Sequence, residues 1–138
     1  MSDIRKRRQR GFTLVEMVVV MVILGILAVV SIPTFINLTQ NAQISATQAN
    51  LGTVRSVLAM RYAQNALNGN AVFPAALATG DFANNAMPLN RLSGVAGVAV
   101  VNAAPAGTAT DNANGFWYIQ ATGVAGAYSD GTVDTSAW

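Results

Sequence analysis

Hydrophobic and polar positions divide this chain into three stretches with different periods. From Met17 to Ile36 every residue is apolar or small except Ser31 and Thr34, and none is charged. About 20 such residues span the ~30 Å hydrocarbon core of a bilayer as a helix. A buried core helix is the other possibility. The 100 or so residues that follow could hardly surround it on all sides. After Pro33 the pattern changes to a stripe: Leu51, Val54, Leu58 and Tyr62 recur at helical spacing, with Ile44 one heptad upstream. That spacing predicts an amphipathic helix, with Gln43, Asn50, Arg55 and Gln64 on its solvent side. Asn68-Gly69-Asn70 reads as its stop. One helix from about Phe12 to Leu67 is expected, kinked or loosened at Pro33, which has no N–H, and weakened at Gly25.

Beyond Gly69 the pattern becomes short and strand-like. FPAALATGDF (73–82) reads as a helical turn starting at Pro74. VAGVAVVNAA (95–104), FWYIQAT (116–122) and VAGAYS (124–129) are strand candidates, the last two forming a hairpin. PAGTATDNANG between the first two is a turn-rich loop. Some 70 residues with few large apolar side chains rarely fold alone, so the sheet is expected to lean on the amphipathic stripe. The expected fold is α+β: a long N-terminal helix, membrane-spanning then amphipathic, packed against a small C-terminal antiparallel sheet. The expected organisation is a leader over 1–11, an apolar helix over 12–36, its amphipathic continuation over 37–68 and a β-rich head over 69–138.

Charge sharpens this picture. The net charge of +2 combines two opposite regions. Arg5, Lys6, Arg7, Arg8 and Arg10 against Asp3 give residues 1–11 a charge of +4. The remaining three arginines and five acids give −2. A basic flank holds its side of a span in the cytoplasm, so the bulk of the chain is expected to be translocated. A nucleic-acid role finds no folded basic face behind the arginines. Cysteine and histidine are absent, which removes thiolate chemistry, histidine general bases and ordinary zinc sites. Serine, threonine and aspartate are present without a nucleophile–base motif, so no enzyme is expected.

Glu16 is the exception in the apolar region, a carboxylate at the edge of the span where an ionised group is costly. It could snorkel to the interface. A cut between Gly11 and Phe12 supplies an alternative, because the new amine at Phe12 is a cation four residues away. A neighbouring copy shifted along the helix axis could pair its Phe12 amine with this Glu16. Such a pair costs less than a lone buried charge and sets register.

The same residues, RGFTLVEMVVVMVILGILAVVSIP (10–33), resemble the N-terminus of type IV prepilins and type II secretion pseudopilins. A basic leader ending in glycine, a phenylalanine, T-L-V-E and an apolar helix coincide. The likeness is close over residues 5 to about 36 and looser to about Asn68. A conventional secretory signal would need a small-x-small cleavage site, which AVVSIP matches poorly. The resemblance implies that Gly11 precedes the cut made by a prepilin peptidase, and that Phe12 becomes the N-methylated terminus. Glu16 matches the acid needed for methylation and incorporation, and Gly25 and Pro33 bracket a helix segment that can unwind in filaments. It implies no cofactor. Its partners are other copies of the chain, packed through their N-terminal helices, the peptidase and an inner-membrane assembly platform. The chain would begin as an inner-membrane precursor with a cytoplasmic N-terminus, then enter an extracellular pilus or a periplasmic pseudopilus. The function implied is a structural subunit of a type IV pilus-like filament. A pseudopilin of a type II secretion system is the alternative, and an unprocessed membrane-anchored binding domain is the third reading.

Three features depart from or extend the resemblance. Many large pilins close a C-terminal loop with a disulfide, and this chain has no cysteine. Some pseudopilins bind calcium in a C-terminal loop, which makes Asp130 and Asp134 in SDGTVDTS (129–136) candidate ligands. Two carboxylates fall short of the usual 6–8 oxygens, and turn-forming is their ordinary use. Strand alternation puts Trp117 and Ile119 on one face and Phe116, Tyr118 and Gln120 on the other. One face is expected on the helix stripe, the other partly exposed for subunit contact or adhesion, with Trp138 docking back onto the sheet.

Overall fold

The computed structural model describes residues 11–138; the basic leader, residues 1–10, lies outside them. A single helix, α1, runs from Leu14 to Leu67, and the helical assignment passes unbroken through Gly25 and Pro33. Three short strands follow: β1 (Val98–Val101), β2 (Phe116–Ile119) and β3 (Ala125–Ala127). The chain divides into two compact units, one ending at Leu38 and the other covering Thr39–Trp138. The fold is α+β and pilin-like, with the outer part of α1 belonging to the head.

In the first unit the apolar side chains bury nothing. Leu14, Val18, Ile23, Leu27, Val29 and Phe35 are all exposed. Among the described residues this is the one helix long and apolar enough to cross a membrane. Exposed apolar surface on this scale marks a lipid or protein contact.

In the second unit the helix stripe meets the sheet. Leu51, Val54, Val57 and Leu58 pack with Leu77, Phe82, Phe116, Tyr118, Ala125 and Ala127 in one core. Ile44 is half-buried, and Tyr62 stays partly exposed with its ring against Phe73 at 4.7 Å. The expected solvent side is corrected at Asn50, which is half-buried, while Arg55 is exposed as expected and still reaches the head. Asn50 Nδ2 donates to the Leu89 carbonyl (2.7 Å) and Arg55 Nη2 to the Ala125 carbonyl (2.8 Å). Both flank the stripe closely enough to serve as ties to the head. The helix stops as expected: Gly69 takes φ +82°, Gly69 N–H donates to the Ala66 carbonyl and Asn70 N–H to that of Asn65. These are the two bonds of a Schellman cap.

The turn expected at Pro74 is not helical. Phe73 and Pro74 lie in irregular backbone, and their carbonyls accept from Gln120 Nε2 and the Tyr118 hydroxyl respectively. Short 3-10 turns come later, at Thr79–Asp81 and Ala83–Asn85. All three strands lie inside their expected segments, and β2 and β3 form the expected antiparallel hairpin, with Trp117 opposite Gly126. The antiparallel sheet is corrected to a mixed one. β1 pairs with β2 in parallel, Val98 opposite Phe116 through Val101 opposite Ile119. The connection 102–115 has the dozen or so residues a parallel crossover needs. It runs past the segment beyond β3, where Ser129 N–H donates to the Ala109 carbonyl and Thr135 N–H to that of Gly107.

A polar hub joins the elements of the head. Asn90 is fully buried, and its Nδ2 donates to the Gly115 and Tyr128 carbonyls (both 2.7 Å). Its Oδ1 accepts from Thr47 Oγ1 on α1 (3.3 Å) and from Leu92 N–H (2.9 Å). Thr47 Oγ1 in turn accepts from Arg91 N–H. Helix, loop and sheet are thereby joined through one amide. Gly115 allows the close approach: a Cβ there would run into Asn90 and the Val95 carbonyl.

Candidate functional site: the capped helix start

Gly11 and Phe12 precede the helix in non-helical, exposed backbone, with Phe12 81% accessible. Thr13 is the N-cap, because α1 begins at Leu14. Its hydroxyl accepts from Glu16 N–H (3.3 Å). Glu16 Oε2 reaches back to accept from Thr13 N–H (2.7 Å) and from the Thr13 hydroxyl (2.9 Å). This is a reciprocal capping box, T-x-x-E, which satisfies orphan donors of the first turn. A carboxylate there also meets the positive end of the helix dipole. The T-x-x-E spacing in TLVE announces this box, a signal distinct from the charge of Glu16.

The geometry leaves two things free. The Gly11–Phe12 bond lies outside the cap, so breaking it would remove none of the box's hydrogen bonds. Glu16 Oε1 takes no hydrogen bond among the described residues, so the carboxylate keeps acceptor capacity for an outside donor. Gly25 lies within α1, and a Cβ there would meet nothing within 4 Å. No tight packing therefore explains that glycine.

Residues 6–32 match the family model described as the prokaryotic N-terminal methylation motif. The chain is 40% identical over 57 residues to the type IV narrow pilus major component PilA5 of Thermus thermophilus, covering 41% of this chain and 49% of that protein. It is 33% identical over 100 residues to the type IV major fimbrial protein FimA of Dichelobacter nodosus, 72% of this chain and 59% of that one. The methylation motif and these likenesses support the type IV pilin and pseudopilin family for this chain. Another relative is the type II secretion system core protein G of Pseudomonas aeruginosa, 36% identical over 56 residues, 41% of this chain and 39% of that protein. The matched stretches thus span between 39% and 59% of the length of these relatives. No solved structure matches the chain. The methylation motif and the apolar helix together fit a membrane-anchored precursor of a pilus or pseudopilus.

The head places the remaining candidates in structural roles. Asp130 Oδ1 accepts from Thr132 N–H (2.8 Å), the Thr132 hydroxyl (2.6 Å) and Val133 N–H (3.2 Å). Asp134 Oδ1 accepts from Ser136 N–H (2.9 Å). Each carboxylate closes a turn of its own, and among the described residues no three acidic, histidine or cysteine side chains gather around one point. The Thr132 hydroxyl, more than the nearby N–H groups, holds Asp130 below the usual carboxylate range. The Ser136 N–H does the same for Asp134. Of the aromatics, Phe116 and Tyr118 face the helix stripe. Trp117 lies on the other face but is buried, its indole filling the space that a Cβ on Gly126 would need. Trp138 packs against the core from its edge.

Proposed function

We propose that this chain is a structural subunit of a type IV pilus-like filament, assembled from the inner membrane after cleavage between Gly11 and Phe12. The observation that carries this reading is an exposed junction in front of a capped helix whose first stretch, Leu14 to Leu38, keeps its large apolar side chains exposed. Such a helix needs lipid before assembly and other helices after it. Cleavage by a prepilin peptidase removes the basic anchor and creates an amine at Phe12, which the same enzyme methylates. Glu16 Oε2 stays with Thr13, while Oε1 accepts from the Phe12 amine of a neighbouring copy and sets the axial register. Gly25 and Pro33 mark where the helix loosens as copies pack. The partners are further copies of the chain, the peptidase and an inner-membrane assembly platform, and the subunit performs no catalysis. The likeness to a type II secretion core protein supports a second reading, a periplasmic pseudopilin built by the same chemistry.

The test is intact and N-terminal peptide mass spectrometry on material sheared from cells. Residues 12–138 contain no lysine, so the Phe12 amine is the only amine the cleaved chain can offer to an acylating reagent. A chain starting at N-methyl-Phe12 in sheared filaments is the expected result. The same chain confined to the envelope favours the pseudopilin. A full-length chain kept in the membrane overturns both and leaves an anchored binding domain.

A further inference from the structure

We propose that Asn68, at the C-terminal end of α1, is a self-modification site where the folded chain turns asparagine into aspartate and isoaspartate. The chemistry needs only the chain and water. The Gly69 nitrogen gives up its proton and attacks Cγ of Asn68, closing a cyclic succinimide as ammonia leaves. Water then opens the ring at either carbonyl, giving aspartate or its isomer. Glycine is the permissive following residue, because no Cβ shields its nitrogen.

Three junctions of this kind occur in the chain: Asn68-Gly69, Asn114-Gly115 and Asp130-Gly131. The fold closes two of them. Asn114 is half-buried, its Nδ2 donates to Asp111 Oδ2 (3.1 Å), and Gly115 N–H donates to the Gly97 carbonyl (3.1 Å). Gly115 is itself buried against Asn90 and the Val95 carbonyl, so a ring cannot close there without local opening. At Asp130 one carboxylate oxygen accepts from Thr132 and Val133, and Gly131 N–H donates to Ser129 Oγ (2.9 Å). An ionised carboxylate resists attack by a nitrogen anion, and the bonds this one accepts keep it ionised.

Asn68 is open. Both Asn68 and Gly69 are exposed, and the Asn68 side chain takes no hydrogen bond among the described residues. A Cβ on Gly69 would meet nothing within 4 Å. The restraint on the attacking nitrogen is its bond to the Ala66 carbonyl (3.0 Å), part of the helix stop. Helix ends fray at little cost in free energy, so this bond releases far more often than the buried one at Gly115.

The products undo the stop that exposes the junction. A new carboxylate there meets the negative end of the helix dipole. Isoaspartate also inserts the side-chain methylene into the backbone, which pulls the Gly69 and Asn70 N–H groups away from the Ala66 and Asn65 carbonyls. The end of α1 therefore loosens with age, beside the groove lined by Tyr62, Val72 and Phe73. In a filament outside the cell, beyond cytoplasmic repair enzymes, the change accumulates. That last step rests on the filament reading; the chemistry at Asn68 does not.

Trypsin allows a direct test in the full chain, because cleavage at Arg61 and Arg91 puts the two asparagine junctions on separate peptides, 62–91 and 92–138. Folded chain in detergent is aged at mildly alkaline pH, digested and read by mass. Electron-transfer fragmentation places the change and separates isoaspartate from aspartate. Conversion at Asn68 is expected to run on the order of tenfold faster than at Asn114, which must wait for local opening. In urea-unfolded chain the two rates should approach each other. Asn68→Gln, whose longer side chain closes a less favourable ring, should remove the conversion at that position. No conversion at Asn68 in the folded chain, or none faster than at Asn114, overturns the proposal. The N-terminal peptide of the same digest reads leader cleavage. A cleaved chain that keeps Asn68 intact sinks only the modification site, and an uncleaved chain that converts there sinks only the filament.

Discussion

The two parts of α1 solve opposite problems with similar residues. Over 14–38 the helix carries valine, leucine, isoleucine and methionine on every side, and these large apolar side chains are exposed. Over 39–67 a narrow stripe of four large apolar residues is buried completely, and the flanks tie the head through Asn50 and Arg55. The first stretch has no preferred face, so only a surrounding apolar medium satisfies it. The second has one face and finds its partner within the same chain. Polar groups follow the same division. Glu16 is satisfied locally by Thr13 and keeps an oxygen free, whereas Asn90 is satisfied by its own loop and by groups 25 to 43 positions away.

The contrast is broken most severely by paired truncations. Leu51→Ala, in the stripe, should destabilise the head by about 3 kcal/mol from lost burial and the cavity left behind. Leu27→Ala, in the exposed stretch, should leave head unfolding unchanged. Urea denaturation of detergent-solubilised chain, followed by the fluorescence of Trp117 and Trp138, reads both. Asn90→Ala should cost about 2–3 kcal/mol in the same assay, because the carbonyls of Gly115 and Tyr128 lose their buried donor. If Asn90→Ala proves neutral, the amide hub is not what holds loop, helix and sheet together.

How far the residues announce this structure differs between the two parts. The apolar span, the stripe at Leu51, Val54 and Leu58 and the stop at Gly69 follow from local periodicity and turn chemistry. The strand segments were legible for the same reason. The direction of β1 was not, because pairing sense depends on where the 102–115 loop crosses, and its anchors at Ala109 and Gly107 are main-chain carbonyls without side-chain signals. Asn90 reads as an ordinary loop residue, since its five bonds come from partners between 2 and 43 positions away. At the candidate site the junction and the acid were legible, and so was the T-x-x-E spacing that the charge of Glu16 obscured.

Smaller effects sharpen the comparison at the helix ends. Gly69→Ala forces a Cβ into φ +82° and should cost about 1 kcal/mol of head stability. Thr13→Ala removes the cap at the other end and should weaken the first turn by about 1 kcal/mol. Hydrogen exchange should register the loss at Leu14–Met17 and nowhere in the head. Protection lost in the head as well would mean that the two units are more strongly coupled than their separate packing implies.

The smallest effect is on pH. Asp111, Asp130 and Asp134 all have their carboxyl groups held below the usual range, Asp111 chiefly by the Ala113 N–H. A depressed folded pKa means that the unfolded chain binds protons more readily, so the stabilisation is full above the unfolded value near 3.9 and disappears as pH falls through the folded one. The three groups are nearly solvent-exposed, which keeps each contribution small through screening. Head stability is therefore expected to be flat from neutral pH down to about 5, then to fall below about 4. Asp130→Asn should flatten that acid limb more than Asp134→Asn. The asparagine amide can still accept a bond from the turn but cannot titrate, and Asp130 is held by three donors within its turn where Asp134 is held by one residue. Equal slopes in the two variants would place the acid sensitivity elsewhere, with the Arg61–Asp81 ion pair that joins α1 to the first 3-10 turn as the next group to substitute.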